Sequence, residues 1–210
     1  MKKAKKIVAL LLCAVLLIGA SVAGTLAYLT HKTNTIQNTF TVGKVDLGEA
    51  GTGLDEATVD VYGVAVEGAA RTASGNSYKL IPGHEYKKDP TVHIQPNSEE
   101  CWLFVEVVNE IADIEADGET KISAQILAKG WTLLDGNIYY KKAPATVETV
   151  ADHVLFEKFI LADNADVSGY GSAKIEVTAF AVQADGFNTA LEAWNATATG
   201  FGKTPISATP

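Results

Sequence analysis

The run Cys101-Trp102-Leu103-Phe104-Val105-Glu106-Val107-Val108 is apolar in both phases of a two-residue period. Trp102, Phe104 and Val108 fall on one face, Leu103, Val105 and Val107 on the other. An extended segment with two apolar faces must be covered on both, so this run predicts a strand in the middle of a sheet. Ala173 to Gln183 has the same character, with Ile175, Val177 and Ala179 against Phe180 and Val182, and predicts a second central strand.

Shorter alternations surround these two, separated by Gly, Pro, Asn and Asp turns. Strands are expected at Gln37 to Leu47, Thr58 to Val66, Tyr78 to Ile81, Val92 to Ile94 and Val154 to Leu161. Trp131 to Leu134 and Ile138 to Lys141 flank Asp135-Gly136-Asn137 and predict a hairpin. Lys121 to Ala128 alternates Ile122, Ala124, Ile126 and Ala128 and is read as a strand, although its alanines also suit a helix. Asn188 can cap a short helix through Ala196 that carries Leu191 and Trp194 on one face. The fold class is therefore all-β, an antiparallel β-sandwich with one short C-terminal helix. The last ten residues are expected to add no structure of their own.

The front of the chain has a different character. Lys2, Lys3, Lys5 and Lys6 precede an apolar run from Ile7 to Ile18, and small residues lead to Thr25-Leu26-Ala27-Tyr28. That is the layout of a secretory signal peptide, with Ala27 the last residue removed. Ile7 to Leu29 is 23 residues without a charge, long enough for a retained membrane anchor, but Gly19, Ala20, Ser21, Ala23 and Gly24 dilute its second half. The expected domains are a signal peptide at 1–27, an arm at 28–36, a β-sandwich at 37–199 and a flexible tail at 200–210.

Gly24-Thr25-Leu26-Ala27-Tyr28, followed by Asn38-Thr39-Phe40-x-Val42-Gly43-x-Val45-Asp46-Leu47, resembles the exported proteins cut by the SipW-type signal peptidase, the TasA and camelysin (CalY) superfamily of Gram-positive biofilms. Lys79-Leu80-Ile81-Pro82-Gly83, Asp89-Pro90-Thr91-Val92 and Ala181 to Phe187 are similar to the same proteins. The resemblance implies a jelly-roll variant of the sandwich and export to the cell surface or biofilm matrix. It also implies assembly by donor-strand insertion of an arm that includes Tyr28, Leu29, Phe40, Val42, Val45 and Leu47. The implied partners are a SipW-type signal peptidase, further copies of the chain or a related matrix subunit.

Charge agrees with that class. The chain carries 17 Lys and Arg against 25 Asp and Glu, and four of the lysines lie in the leader, so the mature chain of 183 residues has a formal charge of −12. Nucleic acids and anionic lipids need a basic face, which excludes them as partners. Cys13 leaves with the leader, and Cys101 alone cannot form an internal disulfide.

Motifs for chemistry are sparse. The camelysin resemblance implies a secreted metallopeptidase as an alternative, which requires two imidazoles on one metal and a carboxylate beside them. His84-Glu85 begins such a motif, but Lys88 stands where the second histidine belongs; His93 is the other candidate ligand. Asp113, Glu115, Asp117 and Glu119 alternate as in a calcium loop with Gly118 at the sixth position, but Ala124 replaces the closing glutamate, so the expectation is a solvated acidic loop. Nucleophile elbows and phosphate loops are missing from the sequence. The expectation is a non-enzymatic structural protein without a cofactor, the alternatives being the metallopeptidase and a monomeric adhesin-like surface-binding module.

Overall fold

A computed structural model of the protein describes residues 44–48 and 52–207. Its nine strands form antiparallel sheets, accompanied by two short α-helices among the described residues. Strand β4 (Cys101–Asn109) is the centre of the largest sheet, in the order β5 (Thr132–Asp135), β6 (Ile138–Ala143), β4 and β9 (Ile175–Gln183). A three-stranded sheet runs β1 (Leu54–Asp55), β3 (Thr91–Ile94), β7 (Ala151–Val154), and a pair joins β2 (Glu85–Lys87) to β8 (Lys158–Ile160).

The two faces of β4 explain the core. Leu103, Val105 and Val107 enter a large cluster with Val92 and Ile94 of β3, Tyr86 of β2 and Phe159 of β8. Phe104, on the opposite face, enters a second cluster with Trp194 and Ala193 of helix α2 (Ala190–Thr197). Burying apolar surface on both sides of one strand fixes its central position.

Several elements differ from the sequence expectation. Lys121 to Ala128 is not a strand: Ile122–Ala128 forms helix α1, whose Ile122 and Ile126, four residues apart, are the two buried side chains. Thr58 to Val66 makes only a bridge between Val59 and Ala65, because the Asp60 carboxylate accepts from the backbone of Tyr62 and Val64 and closes a turn. Tyr78 to Ile81 gains no partner strand; the Tyr86 hydroxyl donates to Lys79 O and accepts from Ile81 N instead. The single strand expected from Val154 to Leu161 is split at buried Leu155 and Phe156 into β7 and β8, which pair in different sheets. β9 begins at Ile175, two residues later than expected, and among the described residues it lies at a sheet edge and not in the middle: its two apolar faces are covered by the two clusters above and below the sheet, which does not require a strand on both sides.

The helix cap is Thr189, one residue beyond Asn188, with its hydroxyl accepting from Glu192 N. The segment expected to be a tail is held down as far as it is described. Phe201 and Ile206 pack on the second cluster, and the Asn195 carboxamide bonds both backbone groups of Ile206. Of the strand expected from Gln37 to Leu47, only Lys44 to Leu47 falls within the described residues, and it is not a strand: its backbone makes isolated bonds, Lys44 O accepting from Glu99 N and Asp46 O from Gln95 N, while Val45 and Leu47 pack on the core of their own domain.

Candidate functional site

β9 is the longest of the strands that lie at a sheet edge among the described residues. β9 pairs with β4 along its whole length, from Ile175 opposite Asn109 to Gln183 opposite Cys101. Ala184 N donates to Glu100 O at one end and Glu110 N donates to Lys174 O at the other. In an antiparallel ladder these two bonds fix the phase: the even-numbered residues bond to β4, and the odd-numbered ones, from Ile175 to Gln183, turn their N–H and C=O outward. Among the described residues no strand pairs with that outward side. A nine-residue edge of this kind is a template for an added strand.

A trough runs beside the first half of this edge. Its larger part has a volume of about 670 Å³, with Ser74 to Leu80 on one wall, Tyr170 to Glu176 on the other, and Lys88, Ile111 and Phe159 also lining it. A shallower depression of about 440 Å³ shares Ser74, Gly75, Lys88, Ile175 and Glu176 and extends past Leu54 to Glu56 and along the edge to Thr178. The side chains that β9 turns toward the main core, Ile175, Val177 and Ala179, belong to its outward-bonding residues. A strand added there would continue an existing apolar face.

Polar groups hold the opposite wall in place. Glu56 bridges Thr72 through both backbone groups, and its carboxylate takes a bond from Asn76 Nδ2 at 2.7 Å and from Lys88 Nζ at 2.5 Å. The Arg71 guanidinium spans Asp55 and Asp89 and also reaches the Thr91 hydroxyl. Asp89 additionally accepts from Ala57 N, giving the Asp89-Pro90-Thr91-Val92 segment a structural task at the wall's foot. Asp55 is pulled in two directions: burial pushes its carboxyl up, but His93 and Arg71 outweigh it and hold it below the usual value.

The candidate metal ligands are not brought together. His84 Nε2 lies 2.9 Å from Tyr62 O with its ring edge against Tyr86, and Glu85 pairs with Lys158. His93, in another sheet, bonds Asp152 through Nδ1 at 2.7 Å and Asp55 through Nε2 at 2.9 Å. No group of three or more His, Cys, Asp or Glu able to hold a metal ion occurs among the described residues. The acidic loop is only partly solvated: Glu115 is buried and accepts from Asn109 Nδ2 and Ile122 N, with burial pushing its carboxyl up. Asp117 pairs with Lys121.

Thr25, Ala27, Tyr28, Leu29, Phe40 and Val42 lie outside the described residues. Val45 and Leu47 are half-buried in their own domain. Glu56, Asn76 and Lys88 carry no signal in the sequence: they share no motif spacing, and Lys88 has Glu85 and Asp89 as nearer acidic neighbours in the chain. No helix among the described residues is long and apolar enough to cross a membrane. Comparison with known proteins finds no family model, curated protein or solved structure that matches this chain.

Proposed function

We propose that this chain is a secreted structural subunit of a Gram-positive surface or biofilm-matrix assembly, and that it grows by strand addition. On this reading the three sheets belong to a jelly-roll-like sandwich in which β9 is the edge that receives a strand. A SipW-type peptidase cuts after Ala27, and the arm beginning at Tyr28 leaves its own domain to lie along β9 of the next copy. Val45 and Leu47 stay packed at home, so the donated part lies upstream of Lys44 and carries Tyr28, Leu29, Phe40 and Val42. The protein then acts through association, without an enzymatic step or cofactor.

The observation that carries this reading is the nine-residue edge of β9 with a trough beside it. A donor strand gains main-chain bonds from the outward groups of Ile175, Val177 and Ala179, and apolar contacts from alternate side chains. Because donor and acceptor are different surfaces of one chain, the contact is head-to-tail and propagates. The test is electron microscopy and size analysis of the mature chain starting at Tyr28, beside a variant lacking Tyr28 to Val42. Polymers from the first and a folded monomer from the second are expected; fibres from both remove the arm from the assembly.

A further inference from the structure

We propose that Lys88 and Asn76 form a self-made isopeptide cross-link, with Glu56 carrying the proton between them. Lys88 and Glu56 are paired away from water, with side chains only 8% and 6% exposed. Both Lys88 Nζ and Asn76 Nδ2 bind this one carboxylate, Nζ on Oε2 at 2.5 Å and Nδ2 on Oε1 at 2.7 Å. A buried ion pair recovers its desolvation cost poorly, so stability alone is a weak reason for putting an amine and a carboxylate here.

The Asn76 carboxamide is held as an electrophile. Its Oδ1 accepts from Val59 N at 3.0 Å, and its Nδ2 also donates to Ala57 O at 2.9 Å. Val59 N–H can only donate, while Ala57 O and the carboxylate can only accept, so the orientation of the amide is fixed by its partners. The Val59 N–H draws charge from the carbonyl and stays in place to stabilise the oxyanion formed on attack. The amine, the carboxamide and a proton carrier are thus assembled before any reaction.

The step balances within the triad. Lys88 passes one proton to Glu56, and the neutral amine attacks Asn76 Cγ, forming a new C–N bond. The bond from Cγ to Nδ2 breaks as the departing NH2 takes the second lysine proton through Glu56 and leaves as ammonia. Glu56 keeps the first proton and is neutral. A buried charged pair is replaced by an amide and a carboxylic acid, which removes the desolvation cost of both ions. Asn76 and Lys88 both line the large part of the trough, which gives ammonia an exit. The product ties the wall segment Ser74 to Leu80 to the chain just after β2, independently of whether an arm docks beside it.

The test is intact-mass spectrometry and peptide mapping of the untreated mature chain. The expected result is a mass lower by one ammonia and a branched fragment joining Asn76 to Lys88. Glu56→Gln keeps the shape of the carboxylate but cannot carry the proton; it should run at its full sequence mass, melt several degrees lower and be cut faster between Ser74 and Leu80. Lys88→Met should also keep its full mass. The wild-type measurement decides the matter even if both variants fold poorly. Wild-type protein at full sequence mass overturns the proposal, and so does loss of ammonia with Lys88 in a linear peptide, which marks a succinimide at Asn76.

Discussion

Phe104 of the central strand lies against Trp194 of the last helix, with ring centroids 5.2 Å apart. Both side chains are fully buried, and Phe180 and Phe201 close the same cluster around Trp194. Trp194 is the largest of the side chains that helix α2 buries against the large sheet, beside Ala190 and Ala193. Trp194→Ala should therefore cost about 3–5 kcal/mol, the range for emptying a large aromatic site. Chemical denaturation reads the loss, and hydrogen exchange should show Ala190 to Phe201 opening before β4.

Gly63 marks a closer approach. It sits at φ +76°, and a Cβ placed on it would lie 2.7 Å from the Tyr86 Cα, backbone that cannot move aside. Its carbonyl accepts from Lys87 N, so the turn at Asp60 to Val64 rests directly on β2. Gly63→Ala should lose about 1–2 kcal/mol from the left-handed backbone alone, with the clash in addition. Gly68, also left-handed but facing open space, is the control, and its alanine variant should lose only the backbone part. Paired thermal melts of the two variants measure the difference.

These two regions also show what the sequence made legible. β4 and β9 could be read as strands because nine residues with two apolar faces admit few alternatives, but the same pattern placed only β4 correctly in the middle of a sheet; β9 lies at an edge among the described residues. The hairpin followed from Asp135-Gly136, and Gly136 does take a positive φ of 52°. Helix α1 was hidden because Ile122 and Ile126 fit a period of two and a period near four equally well. Val59 to Val66 read as a strand because its valines alternate, yet Asp60 and Gly63 decide the local backbone. The trough was less legible still: its outward-facing groups depend on which neighbour β9 lacks, and Glu56, Asn76 and Lys88 meet only through tertiary packing.

His93 and His153 should oppose one another as pH changes. Ionised Asp55 and Asp152 only accept, so the two bonds favour the charged ring of His93, in which both nitrogens donate. Burial disfavours that charge, but Asp55 and then Asp152 outweigh it and raise the pKa, while Arg71 helps keep Asp55 ionised. The stabilisation is complete below the ordinary histidine value of about 6.5 and is lost as pH rises through the folded value. His153, one residue beyond Asp152, is shifted the other way, first by burial and then by Lys141. Its contribution is present above about 6.5 and is lost as pH falls through the folded value. His93→Gln should remove the alkaline loss and leave the acid one, read from urea midpoints between about pH 5 and pH 9.

Trp131 and Trp102 should not respond alike to removal of the indole nitrogen. Trp131 Nε1 donates to Val154 O at 3.1 Å, tying the start of the hairpin to β7. Trp102 Nε1 is buried without a hydrogen-bond partner among the described residues, and the Lys142 ammonium lies 5.5 Å from its ring. Trp131→Phe should cost about 1–3 kcal/mol because a buried bond is lost, whereas Trp102→Phe should stay within about 1 kcal/mol of the parent. Equal losses from the two variants would show that the indole bond to Val154 contributes little.

Head-to-tail growth by strand addition predicts that donor and acceptor defects complement one another once and then stop. Val177 turns its N–H away from β4, so Val177→Pro removes a bond needed by an incoming strand while leaving the β4 ladder intact. That variant keeps its arm and can donate but not receive. A chain lacking Tyr28 to Val42 keeps β9 and can receive but not donate. Each alone should stay monomeric, and an equimolar mixture should give a heterodimer and nothing longer, read by light scattering after size separation. Growth beyond the dimer would mean that a second surface joins the subunits, and no dimer at all would mean that the arm does not bind along β9.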